Sequence, residues 1–342
     1  MARSLKPVAP LTSLMQRQTG QAGMLVGMDQ ESEVIWSRDA SPADWIGPRL
    51  GQFGGGVTSV VPGGFEAYAR VLHPADSVGD GGPVRWRDVA EWSGLPLRPN
   101  GRFHSVALPP EAPEYEAPWH GSPWQGTLTK RDAERLIELL RPWTSTPDNC
   151  WFALWDGYGW QTGPDDAHPL VRLPHRDYLL FAGRIEAVAT TTLFGEPGQT
   201  PNLWWPEDRT WCVASEIDLP WTYIGGSTGM VDRLVGDDQI EALAVSPEAS
   251  LGETEEWVVR WVDRAVDELW ATGESTVVTP IGTVSAYLTQ PGRIRGGTFR
   301  TVTSGLNGSS GSSGTHLGKM PPDRLRQQVT SYLTHAVVGL AE

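Results

Sequence analysis

The densest run of reactive side chains is "NLWWPEDRTWCVASEIDLPWTY", residues 202–223. It brings Trp204, Trp205, Trp211 and Trp221 together with Asp208, Glu216 and Asp218. Tryptophans can wall a pocket, and paired carboxylates can divide acid and base work or hold a cation. Glu216 and Asp218 stand two apart, so a strand would place them on one face. The same residues also suit an aromatic core beside an edge-strand charge pair. Trp204, Trp205, Asp208, Glu216, Asp218 and Trp221 are therefore candidates for binding a partner, and no residue is assigned a catalytic role.

Other chemistries lack a pattern. Cys150, in "CWFALWDGYGW", would need a histidine and an orienting acid to act as a nucleophile. No Cys-His signature surrounds it, and a small core thiol is expected instead. The seven histidines stand at 73, 104, 120, 168, 175, 316 and 335, with no H-x-x-x-H, H-E-x-x-H or C-x-x-C spacing, so no metal site is expected. "GQFGGG" and "YIGGSTGM" fit neither the phosphate loop nor the dinucleotide fingerprint. No cofactor is expected.

The elements that must position these residues emerge from periodicity and caps. "TLTKRDAERLIELLRPWT" reads as a helix, with Thr129 as cap, Asp132 three residues on and Pro142 as its stop. "TEEWVVRWVDRAVDELWATG" reads as a second helix, capped by Thr254 and ended by Gly273. Trp257, Trp261, Ala265 and Leu269 share one face of it. "NCWFALW", "RTWCVASE" and "WTYIGG" read as strands, and "STVVTPIGTVSAYLT" as two more joined at Pro280–Gly282. Trp151, Trp155, Trp211, Trp257 and Trp261 are expected in the core. Residues 95–127 read as a long, proline-rich loop region.

The totals narrow the class. The chain has 342 residues, a formal charge of −14, two cysteines and 17 tryptophans. So acidic a surface repels phosphate backbones, which argues against nucleic acid as a partner. Two cysteines in apolar settings point to a reduced, cytoplasmic protein. No segment approaches the roughly 18 apolar residues of a membrane span, and the N-terminus lacks a leader's apolar run.

"TPDNCWFALWDGYGW", "PNLWWPEDRTWCVASEIDLPWTYIGG" and "GGFEAYARVLHPA" resemble a group of uncharacterised, Trp-rich proteins of high-GC actinobacteria. The resemblance spans roughly residues 45–245 and implies a bacterial, cytoplasmic origin. It carries no activity and no site residue.

The C-terminal part differs in kind. "GSSGSSG", residues 308–314, has no apolar side chain and no charge, and is expected to be a flexible coil. Beyond it Leu325, Val329, Tyr332, Leu333, Ala336, Val337 and Leu340 form one apolar stripe of a helix. So perfect a Gly/Ser repeat is the kind that is built as a linker. The sequence thus reads as a fusion of a recognition body with a tethered partner peptide. The alternative is a native C-terminal helix on a natural loop. Docking is open to two routes, onto the same chain or across to a second copy as a dimer.

The expected fold is α+β, with a mixed or antiparallel sheet, flanking helices and a tethered C-terminal amphipathic helix. Its parts are a mobile arm (1–30), a Trp-rich body (31–304), the Gly/Ser linker (305–315) and the helical tail (316–342). The expected function is a non-catalytic protein-interaction module that takes an amphipathic helix into an apolar, Trp-lined groove with an acidic rim. The partner is a protein or peptide, first of all the segment after the linker. An alternative is a small-molecule binder or enzyme using the Trp204–Trp221 segment. A further one is a bacterial immunity or antitoxin-like protein.

Overall fold

A computed structural model describes residues 34–79, 81–107, 117–158, 169–174, 176–190, 199–251, 256–279, 282–288, 298–305, 310–316 and 322–338. The arm expected at 1–30 lies outside them, as do the side chains of Trp257, Trp261, Leu325, Ala336 and Val337 and the whole of Leu340. The fold is α+β.

The strands are β1 (Ile35–Trp36), β2 (Ala67–Leu72), β3 (Asp76–Ser77), β4 (Trp119–His120), β5 (Cys150–Trp155), β6 (Val171–Arg172), β7 (Asp177–Gly183), β8 (Leu203–Pro206), β9 (Cys212–Ser215), β10 (Trp221–Gly226), β11 (Ala242–Val245), β12 (Glu274–Thr279), β13 (Gly282–Leu288), β14 (Thr298–Gly305) and β15 (Ser310–His316). The helices are α1 (Trp86–Ser93), α2 (Phe103–Ala107), α3 (Lys130–Leu140), α4 (Ala187–Thr190), α5 (Thr228–Val235), α6 (Glu256–Thr272) and α7 (Pro322–Val338).

The main sheet runs β1-β7-β5-β8-β9-β10-β2-β11, with β6 also on β7. Its pairings are antiparallel. Alternation along β9 sorts its side chains. Val213 joins a cluster with α3 and α5, while Cys212 and Ala214 join the cluster on the opposite face. Apolar residues on both faces are what a central strand requires. Aromatic bulk supplies much of the filling. Trp86, Trp204, Trp205, Trp211 and Trp221 are fully buried, and Trp204 meets Trp211 edge-on at 5.3 Å. Of the expected core tryptophans, Trp211 is buried, whereas Trp151 and Trp155 on β5 are half-buried.

Two of the expected caps are present, and Thr254 lies outside the described residues. Thr129 accepts the Asp132 N–H at 3.1 Å at the start of α3, and Gly273, with φ +89°, ends α6. The long 95–127 region is less irregular than its composition suggested, since α2 and β4 fall within it.

A second sheet, β12-β13-β14-β15, is an antiparallel meander against α6 and α7. Here the structure departs from the expected coil. Ser310–His316, which takes in most of the Gly/Ser stretch and two residues beyond it, is the edge strand and pairs residue for residue with β14 from Ser304↔Ser310 to Thr298↔His316. The ladder is built from backbone N–H and C=O groups, which glycine and serine supply as well as any residue. An edge position asks little of side-chain packing.

Among the described residues no helix is long and apolar enough to cross a membrane.

Candidate functional site

The candidate acids sit on a turn rather than on a strand. β9 ends at Ser215, so Glu216 and Asp218 lie in the β9–β10 connection. They share a partner instead of a strand face. Arg176, just before β7, donates Nε–H to Glu216 Oε1 at 2.9 Å and a terminal N–H to the same oxygen. It also reaches Asp218 Oδ2 at 3.0 Å. Its guanidinium lies 5.1 Å from the centre of the Trp155 ring. Burial pulls the Arg176 pKa down, and Glu216 and then Asp218 more than restore it.

A shallow cleft opens beside this trio. Leu50, Val60, Leu173 and Leu203 form apolar walls, and the enclosed room is about 20 Å³, enough for roughly one water. Asn202 supports its floor, accepting the Trp155 N–H at 2.9 Å and donating to the Ser215 carbonyl and the Tyr158 hydroxyl, both at 3.2 Å. Burial pushes the Tyr158 and Tyr178 hydroxyls up, so both stay protonated at neutral pH. Arg176 and Glu216 line the cleft as a balanced pair, and Asp218 adds an exposed carboxylate beside it.

The remaining candidates are not brought to this cleft as an open surface. Trp204, Trp205 and Trp221 are at most 1% exposed, so none lines an accessible groove. Asp208 organises a turn. It accepts from Thr144 Oγ1 at 2.9 Å, Ser145 N–H at 2.7 Å, Ser145 Oγ at 2.8 Å and Thr210 Oγ1 at 2.9 Å. Burial pushes its carboxyl up, and these bonds more than offset that, leaving it below the ordinary value.

The structure resembles a hydroxyl relay near Ser215. His73 Nδ1 lies 2.6 Å from the Trp124 carbonyl, which can only accept, so Nδ1 carries the proton. Nε2 then accepts from Thr222 Oγ1 at 2.9 Å, and Thr222 accepts from Ser215 Oγ at 2.6 Å. The Ser215 hydroxyl is thus committed to the interior, and the network ties the 121–129 loop to the sheet.

Comparison with models of known families, with curated proteins and with solved structures finds no match.

The apolar stripe of the tail finds its surface elsewhere. α7 packs on α6, β13 and β14. Val329 and Leu333 are fully buried, in one cluster with Val262, Ala265, Val266 and Leu269 of α6 and Val284, Ala286 and Leu288 of β13. Tyr332 is 38% exposed. At the rim Arg326 pairs with Asp267. The described residues of this surface are mostly aliphatic, with Trp270 packed against them. Arg176, Asn202 and His73 escaped sequence reasoning, because each acquires its role through partners distant in the chain.

Proposed function

We propose that the protein is a non-catalytic protein-interaction module that receives an amphipathic helix on the face built by α6, β13 and β14. The observation that carries this reading is the burial of Val329 and Leu333 on that face, with Arg326 against Asp267 at its rim. An apolar seat with an acidic margin is the complement of a helix bearing an apolar stripe and flanking arginines. α7 is the occupant in the chain, and a partner helix of the same pattern would compete for the place. The test is to remove residues 317–342 and titrate the peptide 322–342 into the shortened chain by calorimetry. Saturable binding with a negative heat-capacity change is expected. A folded shortened chain that ignores the peptide overturns the reading.

A second reading, binding of a small cationic molecule or a basic side chain, is favoured by the Arg176–Glu216–Asp218 cleft. Arginine methyl ester, titrated against wild type and Glu216→Gln, separates it from the first. An immunity or antitoxin-like role fits the charge of −14, which suits a basic partner. A cytoplasmic location fits two buried, unpaired thiols.

A further inference from the structure

Arg70 is a charged residue deep in a tryptophan-lined interior. It lies on β2, 1% exposed, with its guanidinium 3.7 Å from the centre of the Trp221 ring and 5.3 Å from that of Trp86. Its two terminal nitrogens donate to Pro99 O at 2.8 Å and Gly101 O at 2.7 Å. Its Nε–H is buried without a partner. No carboxylate neutralises it among the described residues. A buried charge without a counter-ion is costly, and proteins commonly pair it.

The segment covering Arg70 is a single four-residue turn. Arg98-Pro99-Asn100-Gly101 has Pro and Asn at the turn's inner positions and closes with Gly101 N–H on Arg98 O at 3.1 Å. Arg98 and Pro99 face solvent, while the Pro99 and Gly101 carbonyls face Arg70. Two oxygens across the fork of a guanidinium are the arrangement a bidentate carboxylate makes. The turn therefore occupies a carboxylate's place with backbone oxygens that carry no charge.

The surroundings favour an anion. Residues 85–104 hold Arg85, Arg98 and Arg102 against Asp88 and Glu91, besides Arg87, which pairs with Glu241, in a chain otherwise strongly acidic. His104 on α2 is fully buried, and both of its ring nitrogens lack a partner. Arg102 lies close enough for its charge to act on both Arg70 and His104.

We propose that Arg70, between Trp221 and Trp86 and beneath the Arg98–Gly101 turn, is a binding site for the carboxylate of a small organic acid. The turn swings aside, the two carboxylate oxygens replace the Pro99 and Gly101 carbonyls, and Arg102 steers the anion in. This site is separate from the helix-receiving face and from the Arg176 cleft, and its fate is independent of either.

The test uses the full chain and its tryptophan emission, since Trp221 and Trp86 flank Arg70. Formate, acetate and benzoate are titrated against chloride at matched ionic strength, with inorganic phosphate as a separate arm. A saturable emission change with a carboxylate is expected, together with altered hydrogen exchange of the amides in residues 98–102. Arg70→Lys keeps the charge but loses the fork, and should weaken binding at least tenfold. Arg102→Gln should weaken it severalfold, and it decides the matter if Arg70→Lys fails to fold. No saturable response to any carboxylate in wild type overturns the proposal. So does an equal response in both variants, or a response to phosphate as strong as to acetate.

Discussion

The carboxylate of Glu241 receives the backbone N–H of Trp86 at 2.7 Å, across 155 positions of sequence. Its other oxygen takes the Arg87 N–H at 2.9 Å, so a residue just before β11 satisfies two of the donors that the start of α1 leaves open. Burial pushes this carboxyl up, while the Arg87 and Trp86 N–H groups act to hold it down. Glu241→Gln keeps the shape but loses the charge-assisted bonds. It should cost ~1–3 kcal/mol, seen as a lower urea midpoint with an unchanged slope. A midpoint equal to wild type would show that this cap contributes nothing.

The seat of α7 makes a sharper demand. Leu333 is fully buried, so Leu333→Ala should cost ~2–5 kcal/mol as a large-to-small core change. Leu333→Asp should free the helix, and limited proteolysis should then cut between β15 and α7. Arg326→Glu should matter little, because its pair with Asp267 is exposed and screened. Intact protection of α7 in Leu333→Asp would contradict the packing described.

Acid should destabilise the protein through two histidines. Burial pulls His73 from 6.5 to about 4, against its bond to Trp124 and with a further push from Arg70. Burial, then Arg102, pulls His104 to about 4. Folded values below the unfolded one mean that this stability is complete above about pH 6.5 and is lost as pH falls towards 4. Each group contributes a slope of about 1.4 kcal/mol per pH unit within that window. Denaturant midpoints at pH 7, 6 and 5 should fall, and His73→Gln should make the fall shallower. A flat profile from pH 7 to 5 would rule this out.

The thiols should be inert in the folded chain. Cys150 is 1% exposed and burial pushes it up to about 12, while burial alone raises Cys212 further. Neither is in a disulfide. Thiol reagents should label both only after denaturation, and fast labelling of native Cys150 would restore a nucleophile to consideration.

Much of the scaffold was legible because its signals are local. Thr129 and Asp132 announce α3, Gly273 ends α6, and the alternation of Trp211, Cys212, Val213 and Ala214 describes β9. The candidate site was less legible because its contacts are not local. Arg176 meets Glu216 across 40 positions, and His73 meets Thr222 across 149. Nothing in the immediate neighbourhood of Arg70 marks it as buried, and nothing beside Arg176 marks it as the centre of an ion-pair trio. The aromatic segment was visible as a cluster, but composition does not say whether indoles face a groove or one another. Composition also misled at Ser310–His316, because flexibility of the free chain says little about a backbone that finds a ladder beside it.

The makeup of β15 has a consequence for how it is aligned. Ser312 and Ser313 are exposed, and the strand's other positions before Thr315 are glycine or serine. Such a strand offers β14 almost no steric code, and a slip of two residues would restore the ladder with nearly the same side chains on each face. The distinguishing positions are at its end, where Thr315 lies opposite Phe299 and His316 opposite Thr298. Those two positions alone distinguish one alignment from its neighbours, so the phase of this edge is written in the last two residues of the strand.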